Sequence, residues 1–438
     1  MLSEEDIPHF FADPQKIKLD EYVTFTYLFE TEINPKLAAA QLCSEQSTAQ
    51  WARPGVQEDY RPEFAAKVID LTPLPQGERG RIFEVVVAHP HKNFEAKIPN
   101  ILSAAAGEGP FYCPGITYIK WIDFDAPASF LNQFEGPQFG VKALRDLLKV
   151  YERPFFIGVV KPNIGLAPQD FADIAYEAWM GGLDIAKDDE MLADVAWSPL
   201  QERTRACAKL CKQAEKETGH PKIYLASITD EVDQMLRLHD VAVREGAGMV
   251  MINTIWMGPS ALRMLRRYSK VPLVSHFTGM AALSRMPNFG ISSLVYTKLQ
   301  RLAGADIIVL AGFGPRMHTS EQEVIANTQA CLKPWGKLKA ALPVPGGSDW
   351  AGTLPSIYQK LGHMDFGLIP GRGVFSHPAG PRAGAQSLHQ AWEAIIEKKS
   401  LEEKAKENGC RALDEALKEW PSPAIFKKSH TISTFHTE

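Results

Sequence analysis

The chain has 438 residues, of which 45% are hydrophobic and 23% are charged, and its formal net charge is −5. This composition is typical of a globular protein with a sizeable core, and the small negative charge gives no electrostatic basis for binding nucleic acid or an anionic membrane. The N-terminus has no basic segment followed by an apolar core, and no apolar run approaches the roughly 18 residues that a membrane span requires. We therefore expect a cytoplasmic protein without a nucleic-acid or membrane partner.

The first 150 residues contain strand and helix patterns in the order β-α-β-β-α-β. The strand pattern EYVTFTYLFE precedes the helical segment NPKLAAAQLCSEQ, and two further strand patterns, AAKVIDLTPL and RIFEVVVAHP, are joined by the turn-forming PQGERG. The helical segment IPNILSAAAGE and the extended segment ITYIKWIDFD complete the order. This order predicts a small α+β domain of the ferredoxin-like type over residues 1–150.

Residues 151–398 alternate between short apolar runs and amphipathic helical patterns. Eight such runs occur, from FFIGVVKP to DFGLIPGRG. Strands that are apolar on both faces are typical of a parallel sheet covered by helices, and eight units in about 245 residues favour a (β/α)8 TIM barrel over a doubly wound open sheet. The remaining residues, 399–438, include a polar amphipathic segment from Ser400 to Glu419, which predicts a C-terminal helical tail.

The second apolar run, GGLDIAKDDE, ends in one cation and three carboxylates. Strand alternation places Lys187 and Asp189 on one face and Asp188 on the other, so Glu190 can join the first pair only if the strand has already turned. Mg²⁺ prefers oxygen ligands, and a carbamate formed from Lys187 and CO2 would supply a further oxyanion. This pattern is compatible with a metal site or with a charged turn that faces solvent.

Other strand ends carry residues suited to chemistry, and active sites of TIM barrels lie at the carboxyl ends of the strands. Each residue has a purely structural explanation, but their coincidence on one rim favours an active site. Glycine N–H groups after strands seven and eight are the usual phosphate-binding elements of this fold. The residues are Lys161, His276, Arg316, Gly346, Gly347, Gly371, Arg372 and Gly373.

The six cysteines form no CxxC pair. Cys207 and Cys211 lie one helical turn apart, and we interpret them as reduced thiols and not as zinc ligands.

Several motifs together make a family resemblance visible. CSEQSTAQW, FEGPQFG, VVKPNIGL, GGLDIAKDDE, PGGSD and GRGVFSHPAG occur in this order between about residues 20 and 395. In these motifs and their order, the chain resembles the large subunit of ribulose bisphosphate carboxylase. Within that family it is most similar to the form IV RuBisCO-like proteins of phototrophic bacteria.

The resemblance implies roles for individual residues. Lys187 matches the lysine that is carbamylated, and Asp189 and Glu190 match the Mg²⁺ ligands, one ion per subunit. Lys161 matches a lysine that serves acid/base chemistry during enolisation, and His276 matches a histidine that contacts the substrate. The resemblance also implies a homodimer with composite active sites, to which Glu45 and Trp51 reach from the partner's N-terminal domain. The matched substrate- and phosphate-binding positions are Asn163, Arg316, Gly346, Gly347, Gly371, Arg372 and Gly373.

This sequence also departs from the family pattern at positions that carboxylation requires. We therefore expect enolisation without CO2 fixation. The departures are Asn163 for the second lysine of KPK, Phe277 for an arginine, Val309 for a histidine, Arg316 for a lysine, Pro345 for a serine and Pro137 for an asparagine.

The functional prediction is an Mg²⁺-dependent enolase, tautomerase or isomerase acting on a phosphorylated ketose or thio-sugar, in sulfur metabolism. Two alternatives are a decarboxylase of a phosphorylated 3-oxo acid and a non-catalytic protein with a regulatory or stress-response role. The general base is one of Lys161, the Lys187 carbamate and His276, and the sequence does not choose among them. We expect the pocket to be shaped by Arg372, Ser348, Asp349, Asn253 and Phe277.

Overall fold

A computed structural model describes residues 2–49, 61–75, 80–109, 113–314 and 316–420. The N-terminal part contributes four strands to a five-stranded mixed sheet, namely β1 (Tyr22–Thr31), β2 (Lys67–Pro73), β3 (Arg81–Pro90) and β4 (Ile116–Asp125). The four strands are ordered β4-β1-β3-β2 and every neighbouring pair is antiparallel. The predicted ferredoxin-like domain is therefore confirmed, and the predicted strand limits lie within two residues of the observed ones.

Burial explains why this sheet carries helices on one face. Alternate side chains of β1 point inward, and Val23, Phe25, Tyr27 and Phe29 are all buried. The Tyr27 hydroxyl donates a hydrogen bond of 2.7 Å to the Ala105 carbonyl oxygen, which fixes one helix on the sheet. The helices of this domain are α1 (Pro35–Glu45), α2 (Ile98–Ala106) and the single turn α3 (Ala128–Leu131).

The C-terminal part is a parallel barrel, as the sequence predicted, and the alternative of an open sheet is wrong. Its eight strands are β5 (Phe155–Val159), β6 (Ile185–Lys187), β7 (Ile223–Ser227), β8 (Met249–Ile252), β9 (Leu273–Ser275), β11 (Ile307–Ala311), β12 (Leu342–Gly346) and β13 (Gly367–Leu368). Hydrogen bonds order these strands β12-β11-β9-β8-β7-β6-β5-β13. β13 returns beside β12, since a Cβ atom added to Gly367 would lie 2.8 Å from a Val344 methyl group.

Helices connect the strands and cover the barrel. Among them α4 (Gly140–Leu148) precedes the first barrel strand, and its Val141, Leu144 and Leu148 pack with the residues that fill the barrel interior. The others are α5 (Pro168–Met180), α6 (Leu200–Thr218), α7 (Met235–Glu245), α8 (Thr254–Met257), α9 (Pro259–Tyr268), α10 (Met280–Ser284), α11 (Ser293–Ala303), α12 (Glu321–Leu332), α13 (Leu354–Leu361), α14 (Arg372–Phe375), α15 (Gly380–Ile396), α16 (Leu401–Ala405) and α17 (Arg411–Glu419).

One strand joins the two parts of the molecule. β10 (Gly290–Ile291) lies in the connection that follows β9, and it pairs in parallel with Lys120 and Trp121 of β4. The Lys120 ammonium donates a hydrogen bond of 2.7 Å to the Ser284 carbonyl oxygen of the same connection. The fifth barrel loop is thus an extension of the N-terminal sheet.

The C-terminal segment between Ser400 and Glu419, which was predicted to be helical, forms two helices, α16 and α17. Gly409 lies between them with a left-handed φ of +93°, a conformation that favours glycine.

All six cysteines are buried free thiols. Within the described parts of the chain, no helix combines the length and apolarity needed to cross a bilayer.

Candidate active site

The turn after β6 brings three predicted site residues together. Lys187 ends the strand with its side chain fully buried, and Asp189 is 1% exposed. The chain turns at Glu190, and the Glu190 Oε2 atom lies 3.9 Å from the Lys187 Nζ atom. The condition that the strand must turn before Glu190 can face Lys187 is therefore met.

The Lys187 amine has an unusual environment. Its Nζ atom is buried and has no hydrogen-bond partner among the described residues, since the contact with Glu190 is longer than a hydrogen bond. Burial lowers the pKa of Lys187, the neighbouring Lys161 adds to this effect, and the carboxylates of Glu190 and Asp189 oppose it. A lysine held towards its neutral form is the nucleophilic form of the amine.

Lys161 connects this turn to the eighth strand. Its Nζ atom lies 2.9 Å from Asp189 Oδ2 and also donates a hydrogen bond to the side-chain oxygen of Asn163. On its other side, a Cβ atom added to Gly371 would lie 3.0 Å from Lys161 Cε. The lysine therefore lies between the acidic turn and the glycines that follow β13.

His276 faces the Glu190 carboxylate from the end of β9. The backbone N–H of Thr278 donates a hydrogen bond of 3.2 Å to His276 Nδ1, which makes Nε2 the protonated nitrogen of the neutral ring. Nε2 lies 3.5 Å from Glu190 Oε2, and burial keeps the pKa of His276 well below its usual range. The ring stacks on Phe277 with centroids 4.9 Å apart, so an aromatic ring stands where the family has an arginine.

The buried Asp188 side chain holds the turn in place through contacts with three other residues. Its carboxylate accepts hydrogen bonds from the Tyr224 hydroxyl at 2.6 Å and the Ser227 N–H at 3.0 Å, and it pairs with Arg203 at 3.2 Å. Alternation along the strand indicated that Asp188 faces away from Lys187, but no local signal identified Arg203. The arginine comes from the helix α6, which begins after the loop that follows β6.

Asn253 also positions the turn. It follows β8, and its side-chain amide donates a hydrogen bond of 3.0 Å to the Glu190 carbonyl oxygen. The Asn253 Oδ1 atom is buried and has no partner among the described residues. We therefore assign Asn253 to the wall of the site.

The predicted phosphate-binding glycines lie in two adjacent loops. Gly346 ends β12, and two residues after Gly347 the buried carboxyl group of Asp349 accepts a hydrogen bond of 3.4 Å from the Ile369 N–H. Gly371 and Gly373 flank the exposed Arg372 at the start of α14. A Cβ atom at Gly373 would lie 2.5 Å from the Asp349 carbonyl oxygen, so only glycine permits this contact between the two loops.

Two predicted residues lie apart from this cluster. Arg316 is exposed, and its guanidinium contacts the Ser348 hydroxyl at 3.4 Å. Glu45 ends α1 in the N-terminal domain, and in the described structure no hydrogen bond or ion pair links it to the barrel of its own chain. Trp51 lies outside the described residues.

The departures from the family pattern can be located as well. Val309 is buried in the barrel interior, and Pro345 belongs to β12 beside the glycines. Neither side chain can donate a hydrogen bond to a substrate.

The donor set of the site is incomplete for Mg²⁺ while Lys187 is unmodified. Among the described residues, no group of three or more His, Cys, Asp and Glu side chains forms a metal-binding cluster. Two carboxylates, Asp189 and Glu190, do flank the unbonded Lys187 amine. Conversion of that amine to a carbamate would supply the third anionic oxygen ligand, so these residues fit a magnesium ion once Lys187 is modified.

Comparison with known proteins agrees with this geometry. The sequence matches the N-terminal domain of the ribulose bisphosphate carboxylase large chain over residues 11–130 and its catalytic domain over residues 140–420. The chain belongs to this family. It is 54% identical over 406 residues to ribulose bisphosphate carboxylase-like protein 2 of Rhodopseudomonas palustris, covering 90% of this chain and 94% of the relative.

A second relative and a solved structure give the same result. The ribulose bisphosphate carboxylase-like protein of Chlorobaculum tepidum is 52% identical over 413 residues, covering 92% of this chain and 95% of the relative. The structure of a dimeric archaeal RuBisCO from Hyperthermus butylicus superposes with a TM-score of 0.86 at 29% identity, covering 94% and 99% of the two chains. The resemblance to RuBisCO-like proteins of phototrophic bacteria, first indicated by the motifs, is confirmed.

Proposed function

We propose that the protein catalyses Mg²⁺-dependent enolisation of a phosphorylated ketose or thio-sugar, as an enolase, tautomerase or isomerase of sulfur metabolism, without fixing CO2. The observation that carries this proposal is the Lys187 amine, buried without a hydrogen-bond partner between the Asp189 and Glu190 carboxylates. A buried amine in its neutral form adds to CO2 and loses a proton to give a carbamate. The anionic oxygens of the carbamate can then bind a metal ion. Lys187, Asp189 and Glu190 would hold the ion.

The chemistry supplied by a bound Mg²⁺ is stabilisation of negative charge on the enolate oxygen. The chain's own residues orient the substrate and move its proton. His276 acts as a hydrogen-bond donor from Nε2, because Nδ1 accepts the Thr278 N–H. This tautomer makes His276 a poor base, and removal of the carbon-bound proton is left to Lys161 Nζ or to the Lys187 carbamate.

The substrate would lie between the acidic turn and the two glycine loops. Lys161 lies between the acidic turn and the loop after β13, since it contacts Asp189 on one side and lies against Gly371 on the other. A phosphate near Gly371 and a ketone near Asp189 would both be within reach of the Lys161 Nζ atom. This arrangement suits a reaction in which one anchored phosphate positions the neighbouring carbons.

We further propose a homodimer with composite active sites. Among the described residues, no hydrogen bond or ion pair links Glu45 to its own barrel. The similar RuBisCO from Hyperthermus butylicus is dimeric. Large apolar side chains are exposed in the loops at the carboxyl ends of the barrel strands, where a second subunit would cover them. They are Met191 at 64%, Trp197 at 47%, Trp256 at 63%, Met286 at 61% and Phe289 at 49% exposure.

The test is exchange of a carbon-bound proton with solvent. The protein is incubated in D2O with Mg²⁺, bicarbonate and a panel of phosphorylated ketoses and thio-sugars, and proton NMR detects loss of the signal next to the carbonyl carbon. We expect exchange with at least one compound by wild type and a loss of at least a hundredfold in Lys187→Met. The proposal is wrong if no compound exchanges, and binding without exchange would favour the regulatory alternative. Release of CO2 from phosphorylated 3-oxo acids would instead favour the decarboxylase.

A further inference from the structure

The loop after β12 contains a buried acid at the position where an anion is expected. Asp349 is 4% exposed, and its carboxyl group accepts a hydrogen bond of 3.4 Å from the backbone N–H of Ile369, which directly follows β13. Ser348, the residue before Asp349, adopts a left-handed φ of +68°. A side-chain carboxyl thus lies between the two glycine loops, where a phosphate is expected, and already bonds one backbone N–H group there.

The surroundings of Asp349 contain cations, but none from the described parts of the chain is bonded to it. Arg316 reaches Ser348, the residue before Asp349, and Lys161 lies against Gly371 in the neighbouring loop. Arg372 stands next to Gly373, which touches the Asp349 backbone. These three positive charges would attract an anion to the corner between the loops, whereas the ionised form of Asp349 would repel it.

We propose that Asp349 is a proton-dependent specificity residue of the glycine loops: it excludes a dianion while ionised and admits it when protonated. The inference rests on the proposed function only in assigning these loops to the phosphate of the substrate. Binding of the dianion would be coupled to uptake of one proton by Asp349. The reaction would accordingly use phosphorylated substrates more readily on the acidic side of neutrality.

The electrostatic environment supports this behaviour. Burial raises the pKa of the Asp349 carboxyl to about 7, and hydrogen bonding to the backbone lowers it only in part. An acid of this strength changes its ionisation near neutral pH. Because proton binding and anion binding at one site are reciprocal, an anion that prefers the neutral acid must raise the acid's pKa.

Sulfate is the appropriate probe, because it remains a dianion between pH 5.5 and 8.5 and does not titrate as phosphate does. Calorimetry is run on the full chain without metal, in two buffers of different ionisation enthalpy, so that proton uptake is measured together with affinity. We expect wild type to bind sulfate at least tenfold more tightly at pH 6 than at pH 8.5, with about one proton taken up at pH 8.

Asp349→Asn is the deciding variant, since it keeps a hydrogen-bond acceptor and removes the charge. Its affinity should be similar to that of wild type at pH 6, and the Asp349-linked proton uptake should be absent. Lys161, Lys187 and His276 are unchanged in this variant, so any uptake that they contribute remains and is subtracted. Asp349→Ser is a second neutral variant that should behave in the same way.

Gly371→Ala serves to locate the bound sulfate. Its added Cβ would lie 3.0 Å from Lys161 Cε, which narrows the site, and we expect weaker sulfate binding at pH 6. The proposal is overturned if wild type and Asp349→Asn show the same pH dependence, if wild type fails to bind sulfate at pH 6, or if Gly371→Ala binds it as wild type does. None of these measurements requires turnover, so a failure of the D2O exchange experiment is distinguishable from a failure here.

Discussion

Arg203 pairs with Asp188 at 3.2 Å behind the Lys187–Glu190 turn, and both side chains are fully buried. Because Asp188 lies between Lys187 and Asp189, this ion pair fixes the backbone from which both site residues project. The Arg203 guanidinium also donates a hydrogen bond to the Ser198 carbonyl oxygen, which ties the pair to the start of α6.

The first prediction concerns this pair. Arg203→Met should lower the free energy of unfolding by about 3–5 kcal/mol, because it leaves the Asp188 carboxylate buried without its cation. Urea unfolding followed by circular dichroism measures the change. Arg205→Met is the matched control on the same helix, and it should have little effect, since Arg205 pairs with Glu245 at the surface. Equal effects of the two substitutions would contradict the structural role of the pair.

The second prediction concerns carbamylation. Wild type supplied with ¹³C-labelled bicarbonate and Mg²⁺ should show a carbamate resonance that Lys187→Met lacks. Methionine is chosen because Lys187 is fully buried, and alanine would also create a cavity. Lys222→Met is the control, because Lys222 is buried too but donates a hydrogen bond of 2.9 Å to the Leu183 carbonyl oxygen. A signal that survives in Lys187→Met would refute the assignment.

The third prediction concerns acid stability. His89 is buried beside Phe25 in the N-terminal sheet, and burial lowers its pKa to about 3 from 6.5. The unfolded chain therefore binds more protons than the folded chain between these values, and stability is lost as the pH falls from 6.5 towards 3. The loss from this group approaches about 4–5 kcal/mol. His89→Phe should reduce the fall measured between pH 6 and pH 4, relative to values at pH 8, where His89 is neutral in both states. A fall as steep as that of wild type would show that other groups dominate.

The fourth prediction is that the protein does not fix CO2. With ribulose bisphosphate, labelled bicarbonate and Mg²⁺, incorporation should be several orders of magnitude below that of a true carboxylase. Phe277 and Val309 offer no charge or hydrogen bond, and each lost charged hydrogen bond is worth about 1.5–3 kcal/mol. Arg316 retains a positive charge but not the geometry of an ammonium. Turnover within about tenfold of a carboxylase would disprove this expectation.

The fifth prediction concerns assembly. Wild type should behave as a dimer in light scattering, and Trp256→Glu should increase the monomer fraction at dilute concentration. Tyr151→Glu is the control, since Tyr151 is 55% exposed but precedes β5, at the opposite end of the barrel. A wild-type monomer that carries out proton exchange at dilute concentration would exclude composite sites.

The order of strands and helices was predictable because hydrophobic periodicity is local. β3 and β4 were predicted with their observed limits, and Lys187, Asp189 and Glu190 could be placed from the end of one apolar run. The partners that control their chemistry were not predictable, because Arg203 and Gly371 are remote in sequence from the residues they contact. The Asp349 carboxyl bonds the N–H of Ile369, which lies 20 residues further along the chain, so no local signal indicated this contact.

The pairing of β10 with β4 has a consequence for how this protein can be divided. The strand that extends the N-terminal sheet comes from the loop that begins at His276, so the fold of one part includes backbone from the other. A barrel expressed alone would present that strand without its partner, and a chimera with a foreign N-terminal part would have to reproduce the same edge. We therefore expect the two parts to unfold together as one cooperative unit, and we expect substitutions at the edge of β4 to disturb the loop that carries His276.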